Sequence, residues 1–304
     1  LNEEQEMMQT LAKDFLSAEY PDKVLKTMAK DEKGYTPELW KKMQEMNLMG
    51  LSLPEQYGGV GDFLDLVVVL EEMGKSCFIS PYFATVVLAA GALIFAGTEE
   101  QKKEYLSAIA EGKKIFTVAI AESYGKYTPE DIKTTAMRQG GDSIINGAKL
   151  FVPDAHNADY IIVAARTSEA KDGISLFIIP SDATGLNVAP LQTVGGDKQA
   201  EVKLAGVKVS ASGLLGEIDK GWAIIEKTLE RANVARCAEM VGMAEQALKL
   251  TLDYTKERIA FGHPIGAFQA IQHRCADMLI DVESSRFATY QAAWKINSGL
   301  PAAK

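Results

Sequence analysis

The hydrophobic period of this chain changes twice, and that change limits its fold more than any single motif does. From residue 1 to about 113, apolar side chains recur at helical spacing. Met7, Met8, Leu11 and Phe15 do so. Leu39, Met43 and Met46 do so again after Thr36-Pro37-Glu38, where Thr36 is an N-cap and Pro37 fits the first turn. Residues 64–73 and 84–95 read as buried helices, and Thr98 with Gln101 makes a capping box. From 115 to about 209 the runs become short, apolar or alternating, with Gly, Pro, Asn and Asp between them. Strands are expected at 115–121, 143–152, 160–165, 174–179 and 202–209. Asn146-Gly147 is a hairpin signal between Ile144-Ile145 and Leu150-Phe151. From Gly221 helices return. Residues 222–255 read as one long helix or a closely broken pair, buried on most sides, and 268–296 as another.

The expected fold is therefore multidomain α+β. An N-terminal helical domain (1–113) is followed by a middle β-barrel or sandwich domain (114–218) and a C-terminal helical bundle (219–304). The bundle is expected to be incomplete, because two long apolar helices need further helices or another subunit over their outer faces. Leu1 stands where an initiator Met would, so the chain is expected to begin inside a longer product. Leu1-Asn2-Glu3-Glu4 lacks the basic and apolar regions of a signal peptide.

Charge and composition exclude several function classes. The 304 residues carry 41 acidic and 32 basic side chains, a formal net charge of -9. Such a chain lacks the positive field that holds a nucleic-acid backbone. The longest nearly apolar run, 82–97, is short of the roughly 18–20 residues that span a bilayer. Cys77, Cys237 and Cys275 form no Cys-x-x-Cys pair and read as buried, reduced thiols of a cytoplasmic protein. With three histidines, none at ligand spacing from another, no metal is expected. Dinucleotide, phosphate-loop and nucleophile-elbow fingerprints are absent.

Three stretches can carry chemistry. Leu229-Glu230-Arg231 opens the most apolar part of the long helix. Either Glu230 is a base whose proton affinity desolvation raises, or it is a surface carboxylate beside a structural Arg231. Arg258, Phe261 and Gln269 offer a guanidinium, an aromatic face and an amide, enough to hold a pyrophosphate and an adenine-like ring. The alternative is a plain helix-to-helix turn closed by Gly262 and Pro264. Ala121-Glu122-Ser123-Tyr124-Gly125 lies where a strand ends in a loop, either a site wall or a polar turn. Pro54-Glu55-Gln56-Tyr57-Gly58-Gly59 reads as turn chemistry.

Taken in order, these segments resemble the acyl-CoA dehydrogenase family of flavoproteins. Pro54 to Gly59 is similar to its Pro-x-x-Tyr-Gly-Gly turn. Gly97-Thr98-Glu99-Glu100-Gln101-Lys102, Asn146-Gly147-Ala148-Lys149 and Leu214-Leu215-Gly216-Glu217 resemble later signatures. Arg258-x-x-Phe261-Gly262 with Gln269 is the most specific. The resemblance implies FAD-dependent α,β-dehydrogenation of an acyl-CoA thioester to the 2-enoyl-CoA, with electrons passed to an electron-transfer flavoprotein. It implies Glu230 as the catalytic base, in the Leu-Glu-Arg context of the isovaleryl- and long-chain branch. It implies Arg258, Phe261 and Gln269 on the adenosine-diphosphate half of FAD, usually across a subunit contact. The working unit would then be a dimer or tetramer in the cytoplasm, or in an organelle matrix if the source is eukaryotic.

Some positions depart from the family pattern. Thr-Glu-Pro becomes Ala121-Glu122-Ser123, and Gly-Ser-Asp becomes Lys126-Tyr127-Thr128. Trp-x-Ser/Thr becomes Phe151-Val152-Pro153. Ala121 has no hydroxyl for the flavin and Pro153 has neither hydroxyl nor N–H, which leaves main-chain N–H groups at Ala121 or Glu122 to compensate. Phe151 retains an aromatic face. The resemblance places Tyr127 and Arg231 toward the substrate. A second reading follows from the same departures: a flavin-deficient, acyl-CoA dehydrogenase-like subunit of a hetero-oligomer that completes a partner's FAD site.

Overall fold

A computed structural model describes residues 1–123 and 127–302. Tyr124, Gly125 and Lys126 of the loop singled out above lie outside the described residues. The helices are α1 (Glu3–Glu19), α2 (Asp22–Met28), α3 (Pro37–Glu45), α4 (Phe63–Lys75), α5 (Ala90–Ala96), α6 (Glu99–Gln101), α7 (Ser107–Ala110), α8 (Gly221–Glu257) and α9 (Gln269–Asn297). The strands are β1 (Phe116–Ala119), β2 (Thr135–Gln139), β3 (Asp142–Pro153), β4 (Tyr160–Arg166), β5 (Ile174–Pro180), β6 (Leu186–Leu191), β7 (Gln199–Val209), β8 (Leu214–Leu215), β9 (Ile259–Ala260) and β10 (His263–Pro264). The chain is α+β, with helices first, a β-sheet in the middle and helices last. Backbone packing divides it into two compact units. One holds residues 1–25, 62–78 and those from 233 onward; the other holds 26–61 and 79–232. Among the described residues no helix is long and apolar enough to cross a membrane.

The sheet belongs wholly to the second unit. Its strands run in the order β6-β7-β3-β2-β4-β5-β8, and β1 lies parallel to β4. β4 and β5 are buried almost throughout, from Ile161 to Ala165 and Ile174 to Ile179. Local signals set the flanking helices as read. The Thr36 hydroxyl accepts the Leu39 N–H at 3.2 Å, and Thr98 and Gln101 cap each other reciprocally. Gln101 Nε2 also donates to the Ser212 and Leu214 carbonyls, both at 2.9 Å, which ties α6 to the start of β8.

The Asn146-Gly147 hairpin is not formed. β3 runs through that dipeptide without turning, and the hairpin lies at Gly140-Gly141, with Gln139 paired to Asp142. The reason is tertiary. A Cβ on Gly147 would stand 2.4 Å from Thr134 Oγ1, so the glycine makes room for a neighbouring segment. The Asn146 side chain accepts the Gly206 N–H at 2.7 Å, beside a bulge against β7.

In the first unit α1 packs on α4, and α4 on α9. α8 is a single helix of 37 residues. Its C-terminal part is not buried on most sides as expected. Val234, Ala235, Ala238, Val241 and Leu248 are buried, whereas Met240 and Leu250 are 58% and 61% exposed. Its Ala and Met side chains are spread around the helix, and some of them, Met240 among them, meet solvent. Toward α4 the approach is backbone to backbone. A Cβ on Gly242 would stand 1.9 Å from the Glu71 carbonyl oxygen, and one on Gly74 would stand 2.0 Å from that of Glu239.

A partly buried ion network crosses the same helices. Arg286 Nε donates to Glu71 at 3.0 Å, and the same guanidinium bonds Glu245 and Glu283. Lys75 bonds Glu72 and Glu245 at 2.8 and 2.9 Å. These partners hold the Arg286 pKa above its ordinary value against the pull of burial. The cysteines are not the buried thiols expected: Cys77 and Cys237 are exposed and Cys275 is intermediate. Cys237 and Cys275 lie on α8 and α9, and Cys77 lies in the turn after α4.

Candidate functional site

The expected site residues fall into both units. Ala121, Tyr127, Phe151, Pro153, Glu230 and Arg231 lie in the unit that holds the sheet. Arg258, Phe261 and Gln269 lie in the other.

β3 and the segment after β1 bring Ala121, Phe151 and Pro153 into one neighbourhood. The Leu150 N–H donates to the Ala121 carbonyl at 2.9 Å, and the Thr117 hydroxyl donates to the Pro153 carbonyl at 2.5 Å. Between Lys149 and Val152 the register against β7 shifts, and Phe151 takes φ 55°. A bulge of this kind re-aims a side chain, and the Phe151 ring stands 52% exposed although it is an apolar residue of a strand. A non-glycine residue in the left-handed region costs on the order of 1 kcal/mol, which the surrounding ladder must offset. Ala121 itself is buried. Neither its N–H nor that of Glu122 has an acceptor among the described residues.

Beneath this edge lies a pair that sequence reasoning did not assign. Lys149 is fully buried, and its Nζ donates to Glu122 Oε1 at 2.7 Å and to the Ile120 carbonyl at 3.1 Å. The Glu122 carboxylate also accepts the Lys133 and Thr134 N–H groups at 2.9 and 3.0 Å. Burial would raise the Glu122 pKa, but the Lys149 charge and these donors hold it below the usual carboxylate range. Burial pulls the Lys149 ammonium down to about 8, and Glu122 partly offsets that pull. A lysine in a strand reads as a solvent-facing residue. The local signal for its burial is its place on the inward face of β3, in phase with Ser143 and Ile145.

Glu230 and Arg231 occupy consecutive half-buried positions on α8. Arg231 Nη2 donates to the Ser52 hydroxyl at 2.7 Å and reaches the Ser52 carbonyl at 3.4 Å. Ser52 has φ 61° and precedes the Pro54–Gly59 turn, so the arginine holds that strained corner beside the Glu230 turn of the helix. Tyr127 is 56% exposed, ahead of a turn closed by the Thr128 hydroxyl on Asp131.

In the other unit, β9 and β10 form a two-residue hairpin with Phe261 and Gly262 at its tip, at φ 52° and 81°. Positive φ at both central residues is the mirror-image turn that matches strand twist. It leaves the Phe261 ring 93% exposed, with its edge toward Phe268 at 6.2 Å between centroids. The Arg258 carbonyl accepts the Ile265 N–H at 2.8 Å, which closes the connection. The Arg258 guanidinium and the Gln269 amide have no hydrogen-bond partner among the described residues, and both side chains are exposed. On α8, Glu239 is the carboxylate that burial pushes up, to about 7, with Arg236 opposing. Among the described residues no group of three His, Cys, Asp or Glu is placed to hold a metal.

Comparison with known proteins agrees with this arrangement along the whole chain. Three family models match: the acyl-CoA dehydrogenase N-terminal domain over residues 2–113, the middle domain over 117–207 and the C-terminal domain over 219–304. The probable acyl-CoA dehydrogenase YngJ of Bacillus subtilis is 36% identical over 314 residues, covering 100% of this chain and 82% of that protein. The acyl-CoA dehydrogenase of Geobacillus kaustophilus superposes with a TM-score of 0.92 at 30% identity, over 99% of this chain and 81% of that one. The ChsE4-ChsE5 complex of Mycobacterium tuberculosis gives a TM-score of 0.89 at 29% identity, over 99% and 80%. With matches to all three domains in order and helices, sheet and helices in the same succession, the chain belongs to the acyl-CoA dehydrogenase family of FAD-dependent oxidoreductases.

Proposed function

We propose that this chain binds FAD and an acyl-CoA thioester, and that Glu230 removes the α-proton as the thioester is oxidised to the 2-enoyl-CoA. The observation that carries this reading is the Glu230-Arg231 step on α8. Arg231 is committed to Ser52 by a 2.7 Å bond, so the helical turn bearing Glu230 is anchored to a neighbouring corner. A base must be held in place to act on a weakly acidic C–H bond.

The donor set fits FAD. Arg258 supplies a planar guanidinium for a pyrophosphate, Gln269 an amide and Phe261 an aromatic face, all turned to solvent. The Ala121 and Glu122 N–H groups supply main-chain donors for the pyrimidine edge, and the outward Phe151 ring supplies a stacking surface. Bound there, FAD supplies the acceptor for the β-hydride. The chain's own work is to hold the thioester, take the α-proton on the Glu230 carboxylate and keep Tyr127 against the acyl group. An electron-transfer flavoprotein is the electron acceptor in this reading, and the working unit is a homo-oligomer.

A second reading has its own observation. The Phe261 ring is 93% exposed, and neither Arg258 nor Gln269 has a partner within the chain among the described residues. These three residues therefore suit the completion of a site on another subunit, as in a hetero-oligomer whose partner holds the flavin.

The test is the visible spectrum of the purified protein, titrated with acyl-CoA thioesters of differing chain and ring type. A flavin spectrum that bleaches with one thioester supports the first reading and gives the substrate class. Absence of flavin after incubation with FAD supports the second. Glu230→Gln is expected to keep flavin and lower turnover by about 10²–10⁴-fold; unchanged turnover removes Glu230 as the base.

A further inference from the structure

A fully buried lysine in a β-strand calls for an explanation. Moving an ammonium into the interior costs several kcal/mol even after relaxation, and an apolar side chain of similar length stabilises such a position as well or better. Lys149 occupies an inward position of β3 with none of its side chain accessible. Its Nζ has two partners, Glu122 Oε1 and the Ile120 carbonyl. Both lie at the beginning of the excursion that leaves β1 and returns to β2. Glu122 in turn accepts the N–H groups of Lys133 and Thr134, at the far end of the same excursion. One carboxylate thus joins both ends of the segment, and one buried cation holds that carboxylate in place.

Other contacts seat the same segment. Arg166 on β4 donates to the Ile132 carbonyl at 3.1 Å and to the Pro129 carbonyl, and it reaches the Ala170 and Ser168 carbonyls at 2.9 and 3.3 Å. Gly147, two residues before Lys149, leaves the space that the Thr134 side chain occupies. The two ends of the excursion, at 120–122 and 129–134, are therefore tied to β3 and β4 by charged groups whose acceptors are main-chain carbonyls and one buried carboxylate.

This arrangement matters because the side chain at 121 is a methyl group. At Ala121 the donor is the main-chain N–H, and a main-chain donor is only as well aimed as the backbone that carries it. We propose that Lys149 is a positioning residue: through Glu122 and the Ile120 carbonyl it sets the backbone at 120–122 so that the Ala121 and Glu122 N–H groups meet the flavin. The proposal rests on the FAD reading given above. Among the described residues, Glu122 is the titratable group that faces the Lys149 ammonium. Loss of the Lys149 proton as pH rises through about 8 therefore removes the cation from the clamp.

The experiment uses the whole protein and the variants Lys149→Met, Glu122→Gln and their combination. Two quantities are read: FAD dissociation by fluorescence across pH, and hydrogen exchange of the Lys133 and Thr134 amides without FAD. In each single variant FAD is expected to bind at least tenfold more weakly and the two amides to exchange faster. The combined variant should be no worse than either single one. Wild-type affinity should fall as pH passes about 8, while that of Lys149→Met stays flat. If Lys149→Met does not fold, Glu122→Gln, nearly the same shape, carries the same test. A folded variant that keeps wild-type FAD affinity and protected amides overturns the proposal. If wild-type protein binds no FAD at all, the FAD reading fails, and amide exchange still decides whether Lys149 anchors the segment.

Discussion

The segments at 120–134 and 258–269 carry the two halves of one expected cofactor grip, and they are built on opposite plans. At 120–134 the groups are buried and already bonded: Lys149, Glu122 and two main-chain N–H groups satisfy one another inside the sheet unit. At 258–269 the groups face solvent, and a two-residue turn holds Phe261 clear of everything but the edge of Phe268. The difference teaches where each segment's energy comes from. The first has the geometry at 120–122 set by folding and offers a flavin the main-chain donors of Ala121 and Glu122. The second has side chains that gain almost nothing from folding, so their interaction energy is left for a ligand or another subunit.

The contrast can be broken by experiment, and the largest effect is expected at the buried pair. Lys149→Ala leaves the Glu122 carboxylate buried without its cation, which costs about 3–5 kcal/mol in denaturant unfolding at neutral pH. A loss near zero would mean that water or a rearranged loop replaces the lysine. Arg258→Ala should behave in the opposite way. Unfolding stability should stay unchanged, because the guanidinium has no partner among the described residues, while FAD affinity falls tenfold or more. A charged hydrogen bond contributes about 1.5–3 kcal/mol. A stability loss in Arg258→Ala would erase the distinction between the segments.

Acid sharpens the same comparison. The folded pKa of Glu122 lies below the ordinary carboxylate value, so its contribution to stability is complete above that ordinary value and is lost as pH falls through the folded pKa. Glu122→Gln should therefore flatten the acid limb of a stability-against-pH curve. The smallest effect is expected at Ser52→Ala. That change removes the 2.7 Å acceptor of Arg231 and keeps the carbonyl contact at 3.4 Å, for about 1 kcal/mol of stability. If the corner positions Glu230, turnover should fall with it while FAD binding does not change.

What the sequence discloses follows the same division. Signals complete within a few residues were legible: the Thr36 cap and the Thr98-Gln101 box. Features whose cause lies far along the chain were not. Asn146-Gly147 reads as a turn by local chemistry, yet its glycine answers to Thr134 and its asparagine to Gly206. β2 and β6 escaped notice because their residues are mostly exposed or half-buried and show no apolar alternation. Lys149 escaped because a lysine alone implies a wet surface, and its partner Glu122 sits across a different strand pairing. The burial of α8 was overread from its apolar composition, since composition counts methyl groups and not neighbours.

The glycines at which α4 meets α8 bear on how this unit can move. At Gly242 a carbonyl of α4 fills the place of the missing Cβ, and at Gly74 a carbonyl of α8 does the same. Sliding α8 along its axis by about one turn would bring a real Cβ from the same face, that of Ala238 or Glu245 for instance, onto a main-chain oxygen. Translation is therefore blocked at that point, while tilting about it moves few atoms. The crossing is a fulcrum: thermal motion of α4 and α8 should be rocking about Gly74 and Gly242, with amplitude growing toward the helix ends.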